Sequence, residues 1–229
     1  MNRSILLANP REITWGWCYL AFQSIFLGYF LILGVQFLNL PWGGAQINFL
    51  YFCINLVVSA GIFRKFLADT YKAALDRIET VFLVAVGGFV AYFILTAIVS
   101  NLIIAIEPDF SNVNDQNISD ISRDYYVLTT IGTVFLVPTA EELLHRGAVF
   151  GGLYRKNRVA AYLVSIILFA LVHISSYIGY FEPKLLALCF LQYVPAGLCL
   201  AASYDISGCI VTPILIHTAV NAIGMLAMR

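Results

Sequence analysis

The stretch ITWGWCYLAFQSIFLGYFLILGVQFLNLPWGGAQINFLYFCINLVVSAGIF, residues 13–63, contains no Asp, Glu, Lys or Arg. A transmembrane helix needs about 20 consecutive apolar residues, so this stretch is long enough for two of them. Pro41, Gly43 and Gly44 interrupt it near its middle and predict the turn between the two helices. The pattern therefore predicts two membrane-spanning helices.

The composition of the whole chain agrees with a membrane location. Hydrophobic residues make up 61% of the chain and charged residues 11%, against roughly 45–50% and about 25% in soluble domains. The net charge is zero and no basic cluster is present, which argues against a nucleic-acid partner. The five cysteines are odd in number and lie in apolar stretches without metal-ligand spacing, so we expect them to pack as small hydrophobic side chains.

Apolar runs continue to the end of the chain. They extend from Thr80 to Ile106, Tyr125 to Tyr154, Val159 to about Gly179, Leu185 to Tyr204, and Ile206 to Met228. We therefore predict an all-α, polytopic transmembrane helix bundle of about seven helices. We expect it to be a single domain over residues 1–229, with its functional core in residues 125–229.

Two polar segments separate some of these runs. Residues 64–79 place apolar side chains at helical spacing among charges, which predicts an amphipathic helix in the membrane interface, with a solvated loop as the alternative. Residues 107–124 are acidic and rich in Asn and Ser, which predicts an exposed loop.

Basic residues in the short loops predict the orientation. Lys and Arg concentrate before the first run, after the second and after the fourth (Arg3, Arg11, Arg64, Lys65, Lys72, Arg77, Arg155, Lys156, Arg158). Cytoplasmic loops carry such an excess, so we expect a multi-pass protein of the plasma membrane, surrounded by lipid, with a cytoplasmic N-terminus. The C-terminus would lie on the non-cytoplasmic side. The basic residue Arg229 at this terminus is weak evidence against that placement.

The polar residues inside the apolar runs are few and grouped. Of the 26 charged residues only three fall within a run, and all three histidines do (Glu141, Glu142, Arg146, His145, His173, His217). An ionisable group at the bilayer centre costs at least about 2.5–3.5 kcal/mol and usually serves function. A buried ion pair that fixes helix packing is the alternative, but six such residues in three helices favour a functional site.

The depths of these residues coincide. Glu141 lies 14 residues from Arg155, and His173 lies 15 from Arg158. His217 and Asn221 lie 12 and 16 residues from Asp205. At about 1.5 Å per residue, all of them would lie roughly 20 Å from the cytoplasmic ends of their helices.

Three motifs carry these residues in order. They are EELLHR (141–146), FALVH (169–173) and HTAVN (217–221), which fit the patterns EExxxR, FxxxH and HxxxN. With these motifs the chain resembles the CAAX-processing and bacteriocin-processing (CPBP/Abi) family of intramembrane proteases, the type II CAAX prenyl endopeptidases. The motifs span residues 141–221, and the resemblance makes an eighth helix conceivable.

The resemblance implies an intramembrane endopeptidase with a cavity that opens toward the cytoplasm and laterally to lipid. Glu141 would act as general base on the attacking water, and His173 would hold that water. His217 and Asn221 would stabilise the oxyanion. The substrate would be a prenylated or otherwise membrane-associated peptide.

The resemblance also implies supporting residues. Glu142 and Arg146 would hold helices together, and Phe169 shares a helix face with His173. His145 departs from the family, where this position usually carries an apolar or aromatic side chain. It lies four residues after Glu141, so it would either tune that carboxylate or, as we favour, pack as a ring.

The metal requirement stays open at this stage. Glu141, His173 and His217 are a possible zinc ligand set, and the family carries both metalloprotease and glutamate-protease labels. We favour a reaction that requires no cofactor, because Asn221 is a poor zinc ligand and a helical HExxH arrangement is absent from the sequence. A non-catalytic bacteriocin-immunity or scaffold protein of the same fold is the main alternative function. A transporter is a weaker one, since no repeated pair of broken helices is present.

Overall fold

The computed structural model describes residues 5–229, so Arg3 lies outside the described residues. This part of the chain contains eight helices and no β-strand: α1 (Pro10–Phe37), α2 (Gly44–Ile62), α3 (Arg64–Leu75), α4 (Ile78–Ile106), α5 (Val113–Tyr154), α6 (Arg158–Ile174), α7 (Pro183–Ser207) and α8 (Val211–Ala227). Six of them are long and apolar enough to cross a membrane, and α8 is a shorter apolar helix of 17 residues. The prediction of an all-α membrane bundle is confirmed.

The amphipathic helix predicted over residues 64–79 corresponds to α3. Its buried side chains are Phe66, Thr70 and Ala74, which recur every four residues and form one face. This face packs against the end of the bundle where α1 begins: the carboxylate of Glu12 accepts a hydrogen bond of 3.0 Å from the backbone N–H of Phe66. The alternative of a solvated loop is wrong.

The segment 107–124 differs from its prediction, because α5 already begins at Val113. The Asn112 side chain caps this start by accepting from the backbone N–H groups of Asn114 and Asp115. The backbone leaves helical geometry at Tyr125 (φ −130°, ψ 43°), so a polar first part of α5 is joined to its membrane part through a kink. The composition correctly marks the segment as polar, but the capping side chain makes it helical.

The last helix, by contrast, begins later than predicted, at Val211 instead of Ile206. The preceding helix α7 ends at Ser207 and is capped by Gly208, whose positive φ of 66° suits a residue without a Cβ. Cys209 and Ile210 are fully buried, and the Cys209 thiol contacts the carbonyl of Thr70 in α3. The start of α8 is therefore covered by α3, and counting depth from Asp205 is wrong for this helix.

The helix α5 holds the centre of the bundle, in contact with α1, α2, α6 and α8, while α7 packs between α4 and α6. Gly197 lets α7 approach α6 closely, since a Cβ at this position would lie 3.1 Å from the Ile166 Cα. Two π-helical stretches interrupt α5, at Ile131–Leu136 and Leu143–Phe150. Every residue of the second stretch is buried, so this part of α5 is enclosed on all sides.

Candidate functional site

Glu141 lies in α5 between the two π-helical stretches and faces the bundle interior. Its Oε2 atom lies 3.9 Å from Nε2 of His173 and 3.9 Å from Nε2 of His217. Within residues 5–229 this oxygen has no hydrogen-bond partner. The structure thus brings together a carboxylate and two imidazoles that the sequence separates by up to 76 positions.

The ring of His173 is fixed from two sides. Its Nδ1 lies 2.7 Å from the carbonyl oxygen of Phe169, and since a carbonyl only accepts, Nδ1 donates. Tyr193 of α7 stacks on the ring with 4.3 Å between centroids. A neutral ring with its proton on Nδ1 presents the lone pair of Nε2 toward Glu141.

The ring of His217 is oriented by the second glutamate of the EE pair. Its Nδ1 lies 2.9 Å from Oε1 of Glu142 and donates to this carboxylate. Its Nε2, like that of His173, therefore faces Glu141. Sequence reasoning missed this contact; the only signal for it was that Glu141 and Glu142 point about 100° apart on a helix and so need not have the same role.

The carboxylate of Glu142 is held by Arg146, and both side chains are completely buried. Two guanidinium nitrogens of Arg146 lie 3.2 Å from the two carboxylate oxygens, and a third donates to the carbonyl of Gly197 at 3.0 Å. The guanidinium also lies over the ring of Phe169, 4.7 Å from its centroid. The EExxxR motif thus links α5 to α6, α7 and α8.

Phe169 is the apolar centre of the site. Its ring contacts those of His145, His173 and His217, with centroid separations of 5.4, 4.7 and 5.9 Å. A single buried aromatic side chain therefore sets the spacing of all three imidazoles and of the Arg146 guanidinium.

His145 and Asn221 lie beside the glutamate and histidines. His145 is buried, meets Phe169 edge-on, and makes no described hydrogen bond to Glu141. The Nδ2 atom of Asn221 donates to the carbonyl of Thr133, in the first π-helical stretch of α5, at 2.8 Å. One N–H of this amide stays available to a ligand in the cavity.

The site lies in a cavity of about 1010 Å³. Side chains of α1 and α2 form one wall, among them Gln23, Tyr51 and Asn55. The exposed side chains of Ile25 and Tyr29 also line it, so the cavity extends to the lateral, lipid-facing surface. This wall was missed by sequence reasoning, because its polar residues carry no charge and belong to none of the motifs.

The cavity continues to one end of the bundle. Its lining there comes from the first turns of α5 (Asn112, Asn114, Asp115), the segment after α6 (Ser175, Ser176, Tyr177, Tyr180) and the last turn of α8 (Ala227, Met228). No lining residue comes from the basic segments around Arg64 or Arg155. The mouth of the cavity therefore lies at the end of the bundle opposite these basic segments.

Residues 123–223 match the family model of Rce1-like type II CAAX prenyl endopeptidases. The matched segment contains Glu141, His173, His217 and Asn221 and extends from α5 into α8. The resemblance seen in the motifs is confirmed for this segment. No curated protein and no solved structure matches the chain.

The possible zinc ligand set of Glu141, His173 and His217 can be compared with the geometry that zinc requires. Within residues 5–229, no three His, Cys, Asp or Glu side chains converge closely enough to hold a metal ion. Tetrahedral zinc with bonds of about 2.0–2.1 Å places its ligand atoms roughly 3.4 Å apart, whereas Glu141 Oε2 lies 3.9 Å from each imidazole nitrogen. The arrangement does not fit zinc.

Proposed function

We propose that this protein is an intramembrane endopeptidase that hydrolyses a peptide bond with a water molecule activated by Glu141. The observation that carries the proposal is the position of Glu141 Oε2, which has no described partner and lies 3.9 Å from two imidazole nitrogens in a large cavity. This separation is too long for a direct hydrogen bond and suits a water bound between the carboxylate and each ring.

The reaction begins with this water. Glu141 takes one of its protons while the oxygen attacks the substrate carbonyl carbon, and Nε2 of His173 accepts the other hydrogen and so orients the attack. The carbonyl becomes a tetrahedral oxyanion. Glu141 then returns the proton to the leaving nitrogen, and the C–N bond breaks to give an amine and a carboxylic acid, which loses its remaining proton to water.

The oxyanion needs donors, and the free N–H of Asn221 is one of them. His217 is the second when its Nε2 is protonated, since Nδ1 already donates to Glu142. The hydrogen bond from Nδ1 to Glu142 fixes the direction in which Nε2 points. Glu142 thereby acts as a positioning residue for His217 in addition to holding Arg146.

The openings of the cavity indicate what kind of peptide can reach the site. The cavity reaches both the lipid-facing surface and one end of the bundle, so a peptide anchored in the membrane could enter laterally with its polar part in the cavity. A prenylated C-terminal CAAX segment and a membrane-associated leader peptide are both of this kind.

A cleavage assay tests the function. We expect the purified protein in lipid to cleave a farnesylated CAAX peptide or a bacteriocin-leader peptide, with products detected by mass spectrometry, and the Glu141→Ala variant to cleave neither. If neither peptide is cut by the wild-type protein, or if both proteins cut equally, the endopeptidase proposal fails. Function without cleavage would then favour the self-immunity or scaffold alternative.

The absence of a zinc requirement is tested separately. We expect protein washed with a strong chelator to retain its cleavage rate and to contain far less than one zinc ion per chain by elemental analysis. The reason is that the Glu141 and histidine donor atoms lie too far apart for zinc. Stoichiometric zinc whose loss and return track activity would overturn this expectation and would identify Glu141, His173 and His217 as ligands.

A further inference from the structure

The two ends of the helix bundle carry opposite charge. The end that contains the start of α1, the helix α3 and the α5–α6 and α7–α8 connections is basic (Arg11, Arg64, Lys65, Lys72, Arg77, Arg155, Lys156, Arg158, against Glu12, Asp69, Asp76, Glu79, Asp205). The other end is acidic (Glu107, Asp109, Asp115, Asp120, Asp124, Glu182, against Arg123, Lys184, Arg229). Basic segments remain in the cytoplasm, which assigns the first end to the cytoplasmic side.

The basic end is closed by packing. Asp205 accepts hydrogen bonds from Tyr154 and Tyr162 and pairs with Arg158 at 2.7 Å. The hydroxyl of Tyr204 donates to the carbonyl of Leu6, and α3 covers the start of α8. A peptide therefore has no described path to Glu141 from this end.

The acidic end is where the cavity opens. The first turns of α5 line the mouth and are tied to α7, since Asn112 donates to Gln192 at 2.7 Å and Asn114 donates to the Tyr193 hydroxyl at 2.9 Å. Tyr193 in turn stacks on His173, so the rim of the mouth is connected directly to the site.

From these observations we propose that the active-site cavity opens on the non-cytoplasmic side of the membrane. This inference rests on the proposed endopeptidase function. If the protein is an endopeptidase, its substrates are membrane-anchored peptides whose scissile bond lies in the segment exposed on the non-cytoplasmic side. A lipid-modified peptide confined to the cytoplasmic surface would not reach Glu141.

The charge at this end of the bundle also restricts which residues a substrate can carry near its scissile bond. Of the three basic residues at the acidic end of the bundle, two are paired with acids, Lys184 with Glu107 at 2.5 Å and Arg123 with Asp120 at 3.5 Å. Asp115, which lines the mouth, is bonded only to neutral groups among the described residues. The remaining negative charge favours substrates with neutral or basic residues near the scissile bond over acidic ones.

Thiol labelling tests the orientation without any need for catalysis. Gln116→Cys places a thiol on an exposed position at the mouth, and Lys156→Cys places one on an exposed position at the basic end. In intact cells, a membrane-impermeant maleimide is expected to label Gln116→Cys as fully as after lysis, and Lys156→Cys only after lysis. The parent protein, with its five native cysteines, gives the background. Labelling of Lys156→Cys in intact cells, alone or together with Gln116→Cys, would overturn the proposal.

A reporter then tests the substrate class. The peptide that the purified protein cleaves is fused to a single membrane anchor, facing the cytoplasm in one version and the opposite side in the other. We expect cleavage only of the second version, and cleavage of the first version would overturn the inference. If purified protein cleaves no peptide at all, the endopeptidase proposal fails, while the labelling result still decides the orientation.

Discussion

We expect Glu141→Gln to lower the rate of peptide cleavage by about 10²–10⁴-fold, the range that a general base contributes. The amide keeps the size of the side chain but cannot take a proton from water. The change should leave the fold intact, because Oε2 of Glu141 has no described hydrogen-bond partner to lose. The measurement is the initial cleavage rate at saturating peptide, together with the thermal unfolding midpoint in detergent.

A matched control for this variant is Glu79→Gln. Glu79 is exposed near the start of α4, at the basic end of the bundle, and lies outside the cavity lining. The control should cleave at the wild-type rate. A Glu141→Gln protein that folds normally and still cleaves within a few-fold of the wild-type rate would remove Glu141 from the role of base.

The helices and the depth of the polar residues inside them could be predicted from the sequence because the signals for them are local. Apolar runs of about 20 residues have few structural solutions in lipid, and polar residues inside them are costly enough to be informative. The depths of Glu141 and His173 in the membrane could therefore be predicted by counting residues from the helix ends at Arg155 and Arg158. The structure places both side chains at the same cavity.

The bond between His217 and Glu142 could not be predicted in this way. It joins α8 to α5 across 75 positions, and it depends on where α8 begins and how this helix is rotated. The start of α8 is set by the turn at Gly208 and by burial under α3, both of which are tertiary effects. Depth counting from the last charged residue, Asp205, assumes an exposed helix end, and this one is buried.

The cavity wall formed by α1 and α2 could not be predicted from the sequence for a different reason. Tyr51 hydrogen-bonds Gln23, and Tyr19 donates to Asn55 at 2.8 Å, so uncharged polar side chains pair inside the membrane. Such residues hardly change the hydropathy of an apolar run. They also lie before residue 123, outside the family match.

The largest expected loss of stability is that of Arg146→Met. The substitution leaves the completely buried Glu142 carboxylate with the His217 imidazole as its only described partner, and it removes the guanidinium donor to the carbonyl of Gly197. Removing one partner of a buried ion pair costs about 3–5 kcal/mol, and the contact with Phe169 is lost as well. We therefore expect a markedly lower unfolding midpoint in detergent and a poor yield of folded protein.

Arg158→Met is the matched control, because it removes the same side chain from an ion pair at the bundle end. Asp205 is only 4% exposed, but Arg158 is 65% exposed, so solvent screens this pair and we expect a smaller loss than for the fully enclosed pair. Tyr154 and Tyr162 still donate to Asp205 in this variant. Equal losses of stability in the two variants would contradict a structural role of the buried pair. If Arg146→Met instead folds normally and only cleaves slowly, Arg146 acts on the reaction through Glu142 and His217, and holding the helices together is not its main role.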